Sequence, residues 1–90
     1  MSAPLETQHR QIFERVCESH RLTPRDRDVA ALLLTGASKE EIADTLYIQG
    51  TTVGNAIGRI NQALGTANQL QIALVLLGAM DAPIRGRGTE

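Results

Sequence analysis

The chain has almost no aromatic residues: no tryptophan, one phenylalanine (Phe13) and one tyrosine (Tyr47) in 90 positions. Its core must therefore be aliphatic, and a core of Leu, Ile, Val and Ala favours helix over sheet. One cysteine, Cys17, excludes an intrachain disulfide and fits a reducing compartment. No basic-then-apolar-then-small pattern opens the chain, so no secretory signal is expected. The longest apolar run, Ile72 to Leu77, is far too short to span a bilayer. These absences lead to the expectation of a soluble cytoplasmic protein. Its length suits one domain with one modest core, a size at which dimerisation adds useful stability.

An excess of positive charge is also missing. Nine basic residues face ten acidic ones, for a net charge of −1. The segment 23–47 carries −2 and the segment 48–80 carries +1. Nucleic-acid modules usually present a basic surface, so any such role here needs a local patch. Reactive constellations are absent as well. There is no phosphate loop, no paired-carboxylate setting and no Ser-His-Asp combination. His9, His20 and Cys17 lack a further close ligand for a metal. The two histidines fall on an apolar stripe, the usual place for partly buried structural histidines. No enzyme activity, metal or cofactor is expected.

The residues that are present mark out helices. Residues 4–20 read as an amphipathic helix, with Leu5, His9, Ile12, Phe13, Val16 and His20 at helical spacing. Thr23 is a candidate N-cap before Pro24 and Asp26, opening a helix through Val29, Ala30, Leu32 and Leu33 that Gly36 ends. Ser38 and Glu41 form a capping-box pattern. The short helix they open has Ile42, Ala43 and Leu46 inside, stops near Tyr47, and is followed by Ile48 as a further anchor. Gln49-Gly50-Thr51 reads as a turn. The next helix runs from Thr51 or Thr52 to Leu64, with Val53, Ile57, Ile60 and Leu64 inward and Gly65 as its stop. A last helix, Ala67 to Met80, is apolar almost all round, which implies burial from more than one side. Residues 81–90 contain Pro83, Gly86 and Gly88 and read as a flexible tail. Its Arg85-Gly86-Arg87 is similar in style to arms that enter a minor groove, but a soluble terminus is the preferred reading.

A short helix, a tight turn and a longer helix form the helix-turn-helix arrangement, here 38–47 and 51–64. The particular residues sharpen this. Leu22-Thr23-Pro24-Arg25-Asp26-Arg27-Asp28-Val29 resembles the opening of the LuxR/GerE-type helix-turn-helix domain. Gly36-Ala37-Ser38-Lys39-Glu40-Glu41-Ile42-Ala43 is similar to that family's next stretch. Leu46, Ile48, Thr52-Val53, Ile60, Leu64-Gly65 and Asn68 continue its register without a gap. The resemblance implies an all-α fold: a four-helix LuxR-type domain over 22–80, preceded by an extra helix in 1–21 and followed by the tail 81–90.

It also implies a small DNA-binding transcriptional regulator that works as a homodimer on double-stranded DNA. The third helix of the domain would enter the major groove and the fourth would make the dimer contact through Leu70, Leu74 and Leu77. The DNA contacts so implied are Thr51, Thr52, Asn55, Arg59 and Gln62, with Arg25 and Lys39 on flanking phosphates; Asn61 is also within reach. Arg27 is a further candidate for such a phosphate; the alternative for Arg25, Arg27 and Lys39 is a solvated face, since acidic residues surround them. The chain departs from the family at four positions: Gly54 for Lys, Ala56 for His, Ala63 for a basic residue and Gln69 for Arg. Each departure removes a charge or a donor, and phosphate neutralisation supplies most of the affinity of such proteins. Gly50, Gly54 and Gly58 form a bare stripe that suits close approach by DNA or by a partner helix, or is drift on an exposed face. A second function therefore stays open: a degenerate helix-turn-helix that pairs with and inhibits another regulatory protein. A third is a fragment of a longer regulator.

Overall fold

A computed structural model describes residues 3–82, with side chains from His9 onward. The described residues form five helices and no strand: α1 (Ala3–Ser19), α2 (Pro24–Leu34), α3 (Lys39–Leu46), α4 (Gly50–Leu64) and α5 (Gln69–Leu76). The expected flexible tail from Pro83 onward, with its Arg85-Gly86-Arg87, lies outside these residues, as does the side chain of Leu5.

Helix starts follow local chemistry. Thr23 Oγ1 accepts from the Asp26 amide at 3.1 Å, with Pro24 at the first helical position. Ser38 and Glu41 complete a reciprocal capping box, at 3.1 Å and 2.8 Å. Asn68 Oδ1 accepts from the Gln71 amide at 2.9 Å, while Gln71 Oε1 accepts from the Ala67 amide at 2.7 Å. Each pairing satisfies donors that a helix start leaves free. Gly36 and Gly65 take the left-handed conformation after α2 and α4, as helix ends require.

Two boundaries differ from expectation. The turn before α4 is shorter, so that Gly50 is already helical. The last helix spans Gln69–Leu76, not Ala67–Met80. Asn68 must stand outside it to cap it, and Gly78 at φ +78° turns the chain back, with the Ala79 amide donating to Leu74. A side chain on Gly78 would meet the Ile12 Cδ1 atom at 2.9 Å, so this turn needs glycine for both its conformation and its contact with α1.

Helix α4 is the centre of the assembly and packs on α2, α3 and α5, while α1 lies against α5. The core is aliphatic: Val29, Ile42, Val53, Ile60, Leu64, Ile72 and Leu76 are all fully buried or nearly so. Cys17 of α1 joins it, with Phe13 and Val16 packed alongside. Burial pushes the Cys17 thiol above its ordinary value, with Arg27 opposing the rise and Glu14 and Glu18 adding to it. His20 is half-buried, but His9 is exposed. The buried face of α1 is thus narrower than the apolar stripe suggested. No helix among the described residues is long and apolar enough to cross a membrane.

Candidate nucleic-acid interface

The outer face of α4 follows from which residues its packing uses. Val53, Ala56, Ile57, Ile60 and Leu64 point into the core. The opposite line is Thr51, Asn55, Gly58 and Gln62, all exposed at helical spacing. Thr52 and Arg59 flank this line on the side of α2. Gly54 flanks it on the side of α3, where the Lys39 ammonium lies 3.9 Å from the position a Gly54 Cβ would take.

The seven expected contacts therefore sort into groups. Lys39, Thr51 and Asn55 line one depression with Glu40, Gly50 and Gly54. Arg59 and Gln62 line another with Arg21, Thr23, Asp26 and Ala63. Thr52 is exposed between them on α4, and Arg25 is exposed at the start of α2 and borders neither depression. Asn61 is half-buried, and its Oδ1 accepts from the Thr66 hydroxyl at 2.6 Å. That bond ties down the turn between α4 and α5 and commits the amide oxygen of Asn61.

The start of α4 differs from the other capped starts. Gln49 occupies the N-cap without a side-chain bond to the helix. Unsatisfied amides at a helix start carry a partial positive charge that suits an anion. Arg59 is the single formal charge between Asp44 and Asp81, and it is already engaged. Its Nη2 lies 2.8 Å from Asp26 Oδ1 and its Nε 3.3 Å from Asp26 Oδ2. Asp26 is 3% exposed. The hydrogen bond and charge of Asp26 raise the affinity of Arg59 for its proton. This anchor was not visible in the sequence, where Asp26 reads only as the third residue of a capped helix. An acid 33 positions from its partner carries no local signal.

Two departures from the LuxR pattern also look different in three dimensions. Ala56 is fully buried, so that position faces the core and removes no donor from the outer face. Gly54, in contrast, opens the space beside Lys39. The bare glycines are not required by contacts within the chain, since a Cβ on Gly50 or Gly58 would meet nothing within 4 Å.

On α5, Ile72, Val75 and Leu76 are buried. Leu70 is 68% exposed and Leu77 41%, with Leu74 half-buried on the same side. Helix α1 faces Val75 of α5 and the Gly78 turn that follows it, and leaves this leucine face open.

The chain is 42% identical over 65 residues to the transcriptional regulatory protein MctR of Rhizobium johnstonii, a match covering 68% of this chain and 30% of MctR. It is 39% identical over 56 residues to the spore germination protein GerE of Bacillus subtilis, covering 62% of this chain and 76% of GerE. The chain thus spans less than a third of the first relative and about three quarters of the second. No solved structure gives a significant match. Residues 20–76, from the end of α1 through α5, match the GerE family profile, and the chain belongs to this luxR family of bacterial regulatory proteins.

Proposed function

We propose that the protein is a DNA-binding transcriptional regulator in which α3 and α4 form the helix-turn-helix and α4 lies in the major groove. One observation carries this reading: every exposed side chain on the outer face of α4 is polar and none is acidic, with only glycines between them. Thr51, Thr52, Asn55, Arg59 and Gln62 stand exposed over 12 residues of the helix, about 18 Å of its length. Asn55 has the chemistry to pair with adenine and Arg59 with guanine. The open start of α4, with Lys39 beside it, suits a phosphate, and Arg25 suits a neighbouring one. Two chains joined through Leu70, Leu74 and Leu77 would set two α4 helices about one helical turn of DNA apart. The transcriptional role named for MctR supports the same reading.

The test is binding to random-sequence duplex DNA at two salt concentrations. The expected result is micromolar or tighter affinity that weakens as salt rises, by a power of about 0.9 per phosphate neutralised. With so few cations near α4, that power should be small. The second reading is an interaction module that pairs with another regulator, and the open leucine face of α5 favours it. No binding to DNA at low salt, together with recovery of a stable complex with a full-length luxR-family regulator, would establish that reading instead.

A further inference from the structure

We propose that Asp26 is a positioning residue for base recognition: it grips Arg59 by one edge and so presents the free end of its guanidinium to a guanine in the major groove. The proposal rests on the DNA-binding reading above and names what one pair of residues does within it.

A carboxylate with 3% exposure has lost nearly all of its water. Such a group is strongly destabilising unless paired, and Arg59 supplies the pairing. The two bonds use Nε and one N–H of Nη2. Of the five guanidinium donors, the two on Nη1 and one on Nη2 stay free. They lie at the end of the fork, and the Arg59 side chain is 52% exposed, so that end faces outward. A guanine offers O6 and N7 side by side, which suits a pair of N–H groups arriving end-on.

The ground around the pair is open. Asp26 and Arg59 border a shallow depression with Thr23, Gln62 and Ala63. The small side chain of Ala63 leaves room for the Arg59 fork. A free arginine loses much of its rotamer freedom when it docks on a base. Here Asp26 imposes that order before DNA arrives, which lowers the cost of binding. A mere fastener between α2 and α4 has no need of a carboxylate buried under a half-exposed arginine. Apolar residues of similar volume often hold a buried contact as well or better, and Val29, Ile57 and Ile60 already join these helices in one core.

The experiment starts with selection of binding sites by the wild-type protein from a random duplex library. Affinities for the selected site and for each single base-pair change are then measured for wild type, for the three variants Asp26→Asn, Asp26→Glu and Arg59→Lys, for the double variant Asp26→Asn/Arg59→Lys, and for Arg59→Ala. Thermal melting establishes that each variant is folded at the assay temperature. Arg59→Lys keeps the charge and loses the fork. Asp26→Glu keeps the charge pairing and shifts the fork by a methylene. The expected result is loss of about tenfold discrimination at one G·C pair per half-site. It should appear in all three variants, with the salt dependence unchanged and with Asp26→Asn/Arg59→Lys no worse at that pair than either single variant.

Full discrimination in folded Asp26→Asn and Asp26→Glu would overturn the proposal and leave the pair as a structural fastener. Unchanged discrimination in Arg59→Lys, with a shallower salt dependence in Arg59→Ala, would overturn it in favour of a phosphate contact. A wild-type protein that selects no sites and shows no salt-dependent binding would remove the DNA reading itself, a result distinct from either.

Discussion

Replacing Gly58 by alanine should stabilise the free protein. Gly58 is the ninth of the 15 residues of α4, well inside the helix, and is exposed. Glycine at such a position costs about 1 kcal/mol relative to alanine, because the unfolded chain loses more freedom on folding. The gain is offset only if the added methyl group collides with something, and at Gly58 it would meet nothing within 4 Å. The full propensity difference should therefore appear, raising the melting temperature of a domain this size by about 4–8 °C. Gly54→Ala should act in the same direction, since its methyl would make an ordinary 3.9 Å contact with the mobile end of Lys39. Gly78→Ala is the opposite control. Its φ of +78° and the 2.9 Å approach to Ile12 predict destabilisation, with the left-handed backbone alone contributing about 1–2 kcal/mol. Melting followed by far-ultraviolet circular dichroism at a fixed protein concentration is the assay, since dimerisation would otherwise shift the midpoint. An unchanged or lower midpoint for Gly58→Ala would refute the reasoning. If the variant is more stable and also binds DNA less well, the missing side chain serves close approach of the duplex.

Four further outcomes are expected. Cys17 should resist a thiol reagent in the folded protein and react once denaturant is added; its raised folded-state pKa also means that stability from the buried neutral thiol is complete below about pH 8.5 and is lost as pH rises further, so alkaline melting should soften in wild type more than in Cys17→Ala. Ser38→Ala should cost about 1 kcal/mol in denaturant unfolding, because it opens the capping box of α3. Ile60→Ala, at a fully buried site where α4 meets its neighbours, should cost about 2–5 kcal/mol and leave the chain partly unfolded at 37 °C, visible as lost amide protection. Leu70→Glu with Leu77→Glu should convert a sedimenting dimer to monomer, leave the helical content unchanged and make the melting midpoint independent of protein concentration; a wild-type chain that is already monomeric at high concentration would refute the α5 interface.

Much of the helical architecture was legible in the sequence because its signals are local. Thr23-Pro24, Ser38 with Glu41, and Gly36 and Gly65 act within one helical turn. The spacing of Val53, Ile57, Ile60 and Leu64 states which face of α4 is buried. The luxR-type register then follows from many such positions agreeing. The two ends of α5 were less legible, since the apolar run between them does not reveal that Asn68 is reserved as a cap and Gly78 as a reversal. Nor does it show which leucines a neighbouring helix leaves uncovered.

The candidate site divides in the same way. Its chain of exposed polar residues, Thr51, Asn55 and Gln62, can be read from helical periodicity alone. Periodicity cannot show that Asn61 is spent on Thr66, or that Ala56 belongs to the core. Nor can it show that Lys39 fills the space beside Gly54. The ion pair of Asp26 and Arg59 is the clearest case. Each residue has an adequate local reading, one as part of a helix start and the other as an exposed cation. Only the packing of α2 on α4 brings them together, because burial and partnership depend on distance in space and the sequence orders residues only along the chain.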